Sequence, residues 1–355
     1  MRIITIAGTR PELIRLSVLI KKLDNRADHT FVWTGQNYTR ELKDIFFEEL
    51  SIRAPDYAHD GAWAGLANQL GGIFELVERA IRETGPDKAL ILGDTNSALS
   101  TIVCERMGVP VYHMEAGNRC FDDKVPEEKN RKIIDHAATW SLPYTAGSRD
   151  NLIAEGIPRN RIHVCGNPIY EVMKQTLADQ WNNPDYGTGH FLATFHRQEN
   201  VDNERRLREI LVSLETIASI FQTNVICSIH PRTRQRIAEF GLEQKVVKIG
   251  GRVQLLDPVG FRDFLRLEQG AICVLTDSGT VQEECCIFGV PTVTIRDSTE
   301  RPETVECGSN IVSGLKSESI INCVVEMMKR DTDWKPPGGY LEPHVSEKVL
   351  EILDV

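Results

Sequence analysis

Apolar and polar positions alternate in blocks along the chain. In the first half, "RIITIAG", "HTFVWTG", "KALILGD", "PVYHMEA" and "IHVCGN" are short apolar runs that read as strands. In the second half, "HFLATFH", "TNVICSIH", "VVKIGG", "AICVLTD" and "PTVTIR" read the same way. Between them lie helix-length stretches such as "PELIRLSVLIKKLD" and "NERRLREILVSLETIASIF", with apolar residues at i, i+3, i+4 spacing. Strands that are apolar throughout are buried on both faces, as in parallel sheets covered by helices. The pattern predicts an α/β protein with two Rossmann-like, doubly wound parallel-sheet domains. The polar connection in "CGNPIYEVMKQTLADQWNNPDYGTGH" places a hinge near residues 165–190. The expected division is residues 1–167, residues 168–335, and a tail of residues 336–355 with a last helix from Val345 to Leu353 that packs back toward the N-terminal domain.

Doubly wound domains bind ligands beyond the C-terminal ends of their strands, here expected in the cleft between the two. The strand ends carry matching chemistry. Thr9, Arg10, Glu12 and Arg15 follow the first strand, Asp94 the run "LILGD", and Glu115 and Arg119 the run "YHMEA". His196 and Arg197, then His230 and Arg232, then Ser278 and Thr280, then Arg296 and Arg301 follow strands of the second half. Polar residues after a strand can equally be solvated loop, so the inference rests on their concentration.

The stretch "VLTDSGTVQEECCIFGVPTVTIRDSTERPE" combines a small-residue turn with carboxylates. Thr280 and Glu283 have capping-box spacing, so part of it can be helix-start chemistry. The backbone N–H groups of Ser278, Gly279 and Thr280 would also face an anion beyond the helix N-terminus. Glu284 is not needed for a cap. Beside a phosphate, its carboxylate makes sense as an acceptor for a vicinal diol such as ribose. The stretch therefore reads as a nucleoside diphosphate site, with the amides and Arg301 on phosphates and Glu284 on ribose.

Composition narrows the class. The formal net charge of −10 argues against non-specific nucleic-acid binding, and no run approaches a membrane span. The N-terminus lacks the features of a signal peptide. Nine scattered cysteines without a Cys-x-x-Cys pair suggest reduced thiols, and adjacent Cys285 and Cys286 read as packing residues. There is no G-x-G-x-x-G after the first strand, no Walker sequence and no metal-ligand spacing, so neither NAD, a P-loop nucleotide nor a metal is indicated.

"GTRPE", "GDT", "HMEAGNRC", "VPEEKNRKIIDH", "FHRQEN", "HPRT", "TDSGTVQEE" and "RDSTERPE" occur in this order. In these eight motifs the chain resembles the non-hydrolysing UDP-N-acetylglucosamine 2-epimerases over roughly residues 1–330. The resemblance implies the two-domain architecture of GT-B glycosyltransferases, a cytoplasmic homodimer, a UDP-N-acetyl sugar as substrate, no cofactor, and a role in cell-envelope polysaccharide synthesis. It assigns Asp94, Glu115 and Glu127 as acid/base carboxylates. It assigns Arg10, Arg15, Arg131, His196 and Arg301 to substrate and phosphate. "TGQNYTREL" and "EAGNRCFD" look more like a subgroup acting on modified UDP-N-acetyl sugars. Two positions depart from the family pattern: Arg15 stands where a lysine is common, and Ser278-Gly279-Thr280 where many members have Ser-Gly-Gly.

The residues also admit structural readings. Asp94 could form an Asx turn or cap a helix, and Glu127 and Glu128 could be the acidic first turn after Pro126. His136 reads as a buried hydrogen-bonding histidine, and His230-Pro231 as a strand-end turn. The competing functions are a GT-B glycosyltransferase, a hydrolysing epimerase and a non-catalytic nucleotide-sugar sensor. Three carboxylates converging with "GTRPE" favour the epimerase.

Overall fold

The computed structural model describes residues 1–35, 46–59, 61–181, 189–242 and 251–355. The chain clusters into two compact units, residues 1–176 with 338–355, and residues 177–337.

The first unit holds six parallel strands in the order β3-β2-β1-β4-β5-β6: β1 Arg2–Ala7, β2 Asp28–Trp33, β3 Tyr57–Ala58, β4 Lys88–Leu92, β5 Val111–Met114 and β6 Trp140–Leu142. The second unit repeats the arrangement as β12-β11-β10-β7-β8-β9. Its strands are β7 His190–Thr194, β8 Val225–Ser228, β9 Val253–Leu256, β10 Ala271–Thr276, β11 Thr292–Thr294 and β12 Asn310–Val312. Counted from its own first strand, each sheet has the doubly wound order 3-2-1-4-5-6. The order reverses between β1 and β4 in one unit, and between β7 and β10 in the other.

The eight interior strands coincide with apolar runs read from the sequence. The "VVKIGG" strand expected at residues 246–251 falls, apart from Gly251, outside the described residues. The "IHVCGN" strand does not form. That segment runs beside β6 with one bridge, Ser141 to Ile162, and its N–H groups at His163 and Cys165 donate to Ser141 O and Pro143 O at 2.9 and 3.0 Å. Pro143 has no N–H to return, so the ladder stops.

Local chemistry sets the helix Arg10–Arg26 that leaves β1. Pro11 sits in its first turn, and Glu12 accepts the Thr9 N–H at 3.0 Å. Leu13, Leu16, Ile20 and Leu23 then form its buried stripe. Gly8 makes the turn possible: a Cβ there would lie 2.1 Å from Thr34 Oγ1 and 2.3 Å from Ser97 Oγ.

The last helix, Val345–Ile352, belongs to the first unit. Val345, Val349, Leu350 and Leu353 are fully buried. Ser346 N donates to Glu171 at 2.9 Å, and Lys22 Nζ to Ser346 Oγ at 2.6 Å. Truncating a buried leucine costs about 2–5 kcal/mol. Leu350→Ala should therefore lower stability by that amount in urea unfolding, whereas exposed Glu351→Ala should change it by less than about 0.5 kcal/mol.

Candidate functional site

The C-terminal ends of β1 and β4 adjoin at the first reversal of strand order. Glu12, from the helix after β1, reaches across it. Its Oε2 accepts the Gly8 N–H at 2.6 Å and the Thr9 N–H at 3.0 Å, and its Oε1 accepts the Thr95 hydroxyl at 2.5 Å. Burial outweighs these hydrogen bonds and, with Asp94 nearby, pushes the Glu12 carboxyl up to about 7.

Asp94 caps no helix; its carboxylate accepts from Arg131 Nε at 2.7 Å. Arg131 also donates to Glu128 at 2.6 Å. Glu128 is fully buried and accepts the Cys120 and Phe121 N–H groups at 3.1 and 3.0 Å. It thus closes the loop between β5 and the helix Pro126–Ala137, a tertiary role beyond the acidic first turn read from the sequence. Glu127, one residue earlier, is half-buried.

Glu115 follows β5 and is ion-paired with Arg15, both buried. Tyr144 and Asn118 donate to it at 3.4 Å each. Its φ of +67° lies in the left-handed region, which a glutamate seldom adopts. Such a conformation persists only where neighbours hold it, and it marks candidate functional positions.

One buried carboxylate ties these segments together. Asp135 accepts the Gly117 N–H at 3.1 Å, bonds His113 Nδ1 at 2.9 Å, and pairs with Arg119 at 2.8 Å. His113 Nε2 in turn lies 2.8 Å from Gly93 O, next to Asp94. Burial opposes ionisation of Asp135, but His113 and Arg119 prevail and hold its carboxyl below the usual range. His136, read as buried, is instead exposed and 3.6 Å from Glu155. The histidine buried against the helix Pro126–Ala137 is His113, through Asp135.

The second reversal brings together the ends of β7 and β10. Asp277, fully buried after β10, accepts the N–H groups of His196 and Arg197 at 3.1 and 3.0 Å and Asn200 Nδ2 at 2.9 Å. The half-exposed His196 ring places Nδ1 3.4 Å from Asp277. His230 caps the helix Pro231–Glu239 by accepting the Arg232 N–H at 3.2 Å.

The helix Gly279–Phe288 starts after Ser278. Two expectations change here. The Ser278 N–H does not face outward but donates to Thr276 Oγ1 at 3.0 Å, so the helix start is presented by the residues from Gly279 onward. Thr280 and Glu283 form no capping box, because the helix begins at Gly279 and Glu283 is ion-paired with Arg301. Arg301 Nη1 also donates to Glu300 O at 3.2 Å. Glu300 accepts from Arg197 at 3.2 Å and from Arg296. A Cβ at 279 would lie 2.5 Å from Glu300 Oε1, so a larger residue there would displace the Glu300 carboxylate. Cys285 and Cys286 are fully buried, and Cys286 Sγ lies 3.8 Å from Cys307 Sγ.

The sequence reading passed over Asp135, Asp277, Glu128 and Glu268 as functional supports. Glu268 had a signal: it lies three residues after Leu265 and four after Phe264, on an apolar helical stripe. Among the described residues no cluster of histidine, cysteine and carboxylate could hold a metal, and no helix is long and apolar enough to cross a membrane.

Two doubly wound units with arginine- and carboxylate-lined strand ends define an α/β enzyme of Rossmann-like construction. The family model for UDP-N-acetylglucosamine 2-epimerase matches residues 21–354, and the chain belongs to this isomerase family. It is 39% identical to the UDP-N-acetylglucosamine 2-epimerase of Methanocaldococcus jannaschii, over 99% of each chain. It is 36% identical to the UDP-2,3-diacetamido-2,3-dideoxy-D-glucuronate 2-epimerase of Pseudomonas aeruginosa, over 90% of each. The crystal structure of the M. jannaschii enzyme in complex with UDP-GlcNAc and UDP superposes with a TM-score of 0.93 at 38% identity, covering 100% of this chain and 99% of that one.

Arg301→Ala leaves buried Glu283 without its ion-pair partner and should cost about 3–5 kcal/mol of stability in urea unfolding. Adding Glu283→Gln should recover part of that loss. Glu12 gives a pH test. Its folded-state value of about 7 exceeds its ordinary 4.5, so the folded state holds a proton that the unfolded state has lost. That contribution is complete below about pH 4.5 and fades as pH rises to about 7. The stability of the wild type relative to Glu12→Gln should accordingly fall across this window, by at most about 3 kcal/mol.

Proposed function

We propose that this chain inverts C2 of a UDP-N-acetylhexosamine, interconverting UDP-GlcNAc and UDP-ManNAc or the corresponding modified UDP-N-acetyl sugars. Relatives of similar identity act on both kinds of sugar by name, which supports the class and leaves both substrates in the proposal. The observation that carries the reading is the pair of arginine-held carboxylates at neighbouring strand ends, Asp94 with Arg131 and Glu115 with Arg15.

The C2 proton of the sugar is not acidic, because C1 is an acetal. Chemistry therefore begins with the C1–O bond. Its electron pair leaves with UDP, and C1 gains oxocarbenium character that acidifies C2–H. A carboxylate takes that proton, the C2–H pair becomes the C1–C2 double bond, and 2-acetamidoglucal and UDP result. In reverse, a second group protonates C2 from the opposite face while a UDP oxygen closes on C1. Asp94, Glu115 and Glu127 are the proposed acid/base set, each placed transfer typically worth about 10²- to 10⁴-fold. Arg10, Arg15 and Arg131 bind the sugar side.

Departing UDP needs fixed positive potential. Arg301, His196 and the Gly279 and Thr280 amides are proposed to hold the diphosphate, and Glu284 the ribose hydroxyls. The cytoplasmic homodimer implied by the resemblance, acting in polysaccharide synthesis, is part of the same proposal.

Asp94→Asn, Glu115→Gln and Glu127→Gln should each abolish most epimerisation while UDP affinity changes by less than about threefold, because the amides preserve size. At least one variant should leak 2-acetamidoglucal and UDP. The check is NMR of UDP-N-acetyl sugars incubated in D₂O, following configuration and deuterium at C2. Epimerisation without deuterium uptake would remove the proton-transfer scheme.

A further inference from the structure

The helix Phe261–Gly270 carries Glu268 on its buried face with Phe261 and Leu265. Glu268 is fully buried, and no N–H or O–H of a described residue donates to either of its oxygens. The polar group it does meet is the Glu284 carboxyl, within hydrogen-bond reach. Glu284 is itself 2% exposed. The Cys285 thiol lies near both carboxyls, with Cys273 close to it. Leu267, Val274, Val281 and Val290 form the surrounding apolar cluster.

Two carboxyl groups in contact in such surroundings cannot both ionise. One carries a proton and donates it to the other. The helices decide which. Glu268 lies in the last turn of its helix, where the negative end of the dipole opposes a further negative charge. Glu284 lies in the second turn of Gly279–Phe288, nearer the positive end. The proton therefore resides on Glu268 and the charge on Glu284. Burial, together with the Glu284 charge, raises Glu268 well above the ordinary carboxyl range, in line with this assignment.

We propose that Glu268 acts as a permanently protonated acid whose O–H pins one oxygen of Glu284, presenting the remaining lone pairs to the ribose diol of the bound nucleotide. The proposal rests on the reading of Glu284 as the ribose ligand. An ionised carboxylate has about four acceptor sites, so one bond to Glu268 leaves enough for two hydroxyls. Glu268 is thus a positioning residue that touches no substrate. It makes the choice of a ribonucleotide depend on a buried proton rather than on a direct contact.

The test uses the full chain with Glu268→Gln and Glu268→Leu. Without ligand at pH 8, the wild type should show a carboxylic-acid carbonyl band in the infrared that Glu268→Gln lacks. By calorimetry the wild type should prefer UDP over 2′-deoxy-UDP about tenfold, as expected for a lost hydrogen bond to a charged acceptor. Glu268→Gln, whose amide N–H can replace the O–H, should keep that preference. Glu268→Leu should reduce it to about twofold or less while binding pyrophosphate like the wild type. Retained preference in Glu268→Leu, or absence of the acid band, overturns the proposal. Equal losses of UDP and pyrophosphate in both variants also overturn it and assign Glu268 to packing. A wild type with no preference for UDP over 2′-deoxy-UDP overturns the ribose reading itself, and the infrared band tells that failure apart. If Glu268→Leu does not fold, the infrared band and the Glu268→Gln preference still decide.

Discussion

The reversal of strand order between β1 and β4, and again between β7 and β10, is the constraint on which the rest depends. In a doubly wound sheet, the connections on either side of the reversal leave toward opposite faces. The two strand ends between them are left uncovered, with backbone amides pointing outward. Each unit of this chain fills that place with a buried carboxylate that holds both strand ends. Glu12 binds the Gly8 and Thr9 amides and Thr95. Asp277 binds the His196 and Arg197 amides and Asn200. The same solution in two units reflects the same topological problem.

Around those anchors the charges are buried in compensated sets. Asp135 has His113, Arg119 and an amide. Glu128 has Arg131 and two amides, and Glu300 has Arg197 and Arg296. A buried charge is costly unless it is paired and hydrogen-bonded, and a half-satisfied set is worse than apolar packing. These networks therefore hold the strand-end turns in one conformation. The left-handed backbone of Glu115 shows what such holding permits, since Arg15, Tyr144 and Asn118 converge on its side chain. For a reaction that must serve both faces of one carbon, fixed carboxylates matter more than many of them.

The pair formed by Glu268 and Glu284 is the exception to this pattern, because no cation compensates it among the groups that act on Glu268. Its solution is a proton. The protonated Glu268 thus stands behind the proposed ribose ligand. A second full negative charge there would oppose binding of an anion. A neutral acid gives the same geometric control without that repulsion.

Much was legible in the sequence. All eight interior strands appeared as apolar runs, because a strand covered on both faces has no polar side to interrupt it. The residue types at strand ends, from Thr9 and Arg10 to Arg301, were also plain, and with them the family. The four edge strands, β3, β6, β9 and β12, were not seen, because two to four residues with one neighbour need no continuous apolar pattern. "IHVCGN" had the pattern but met Pro143, which cannot complete a ladder. Partnership was decided only by tertiary structure. Whether Glu283 capped its helix or met Arg301, whether His113 or His136 was buried, and where the Ser278 amide pointed all depend on residues tens of positions away or on a neighbouring turn. A charge in sequence is ambiguous because its energy is set by dielectric surroundings and by the opposite charge or proton placed beside it, and packing alone supplies both.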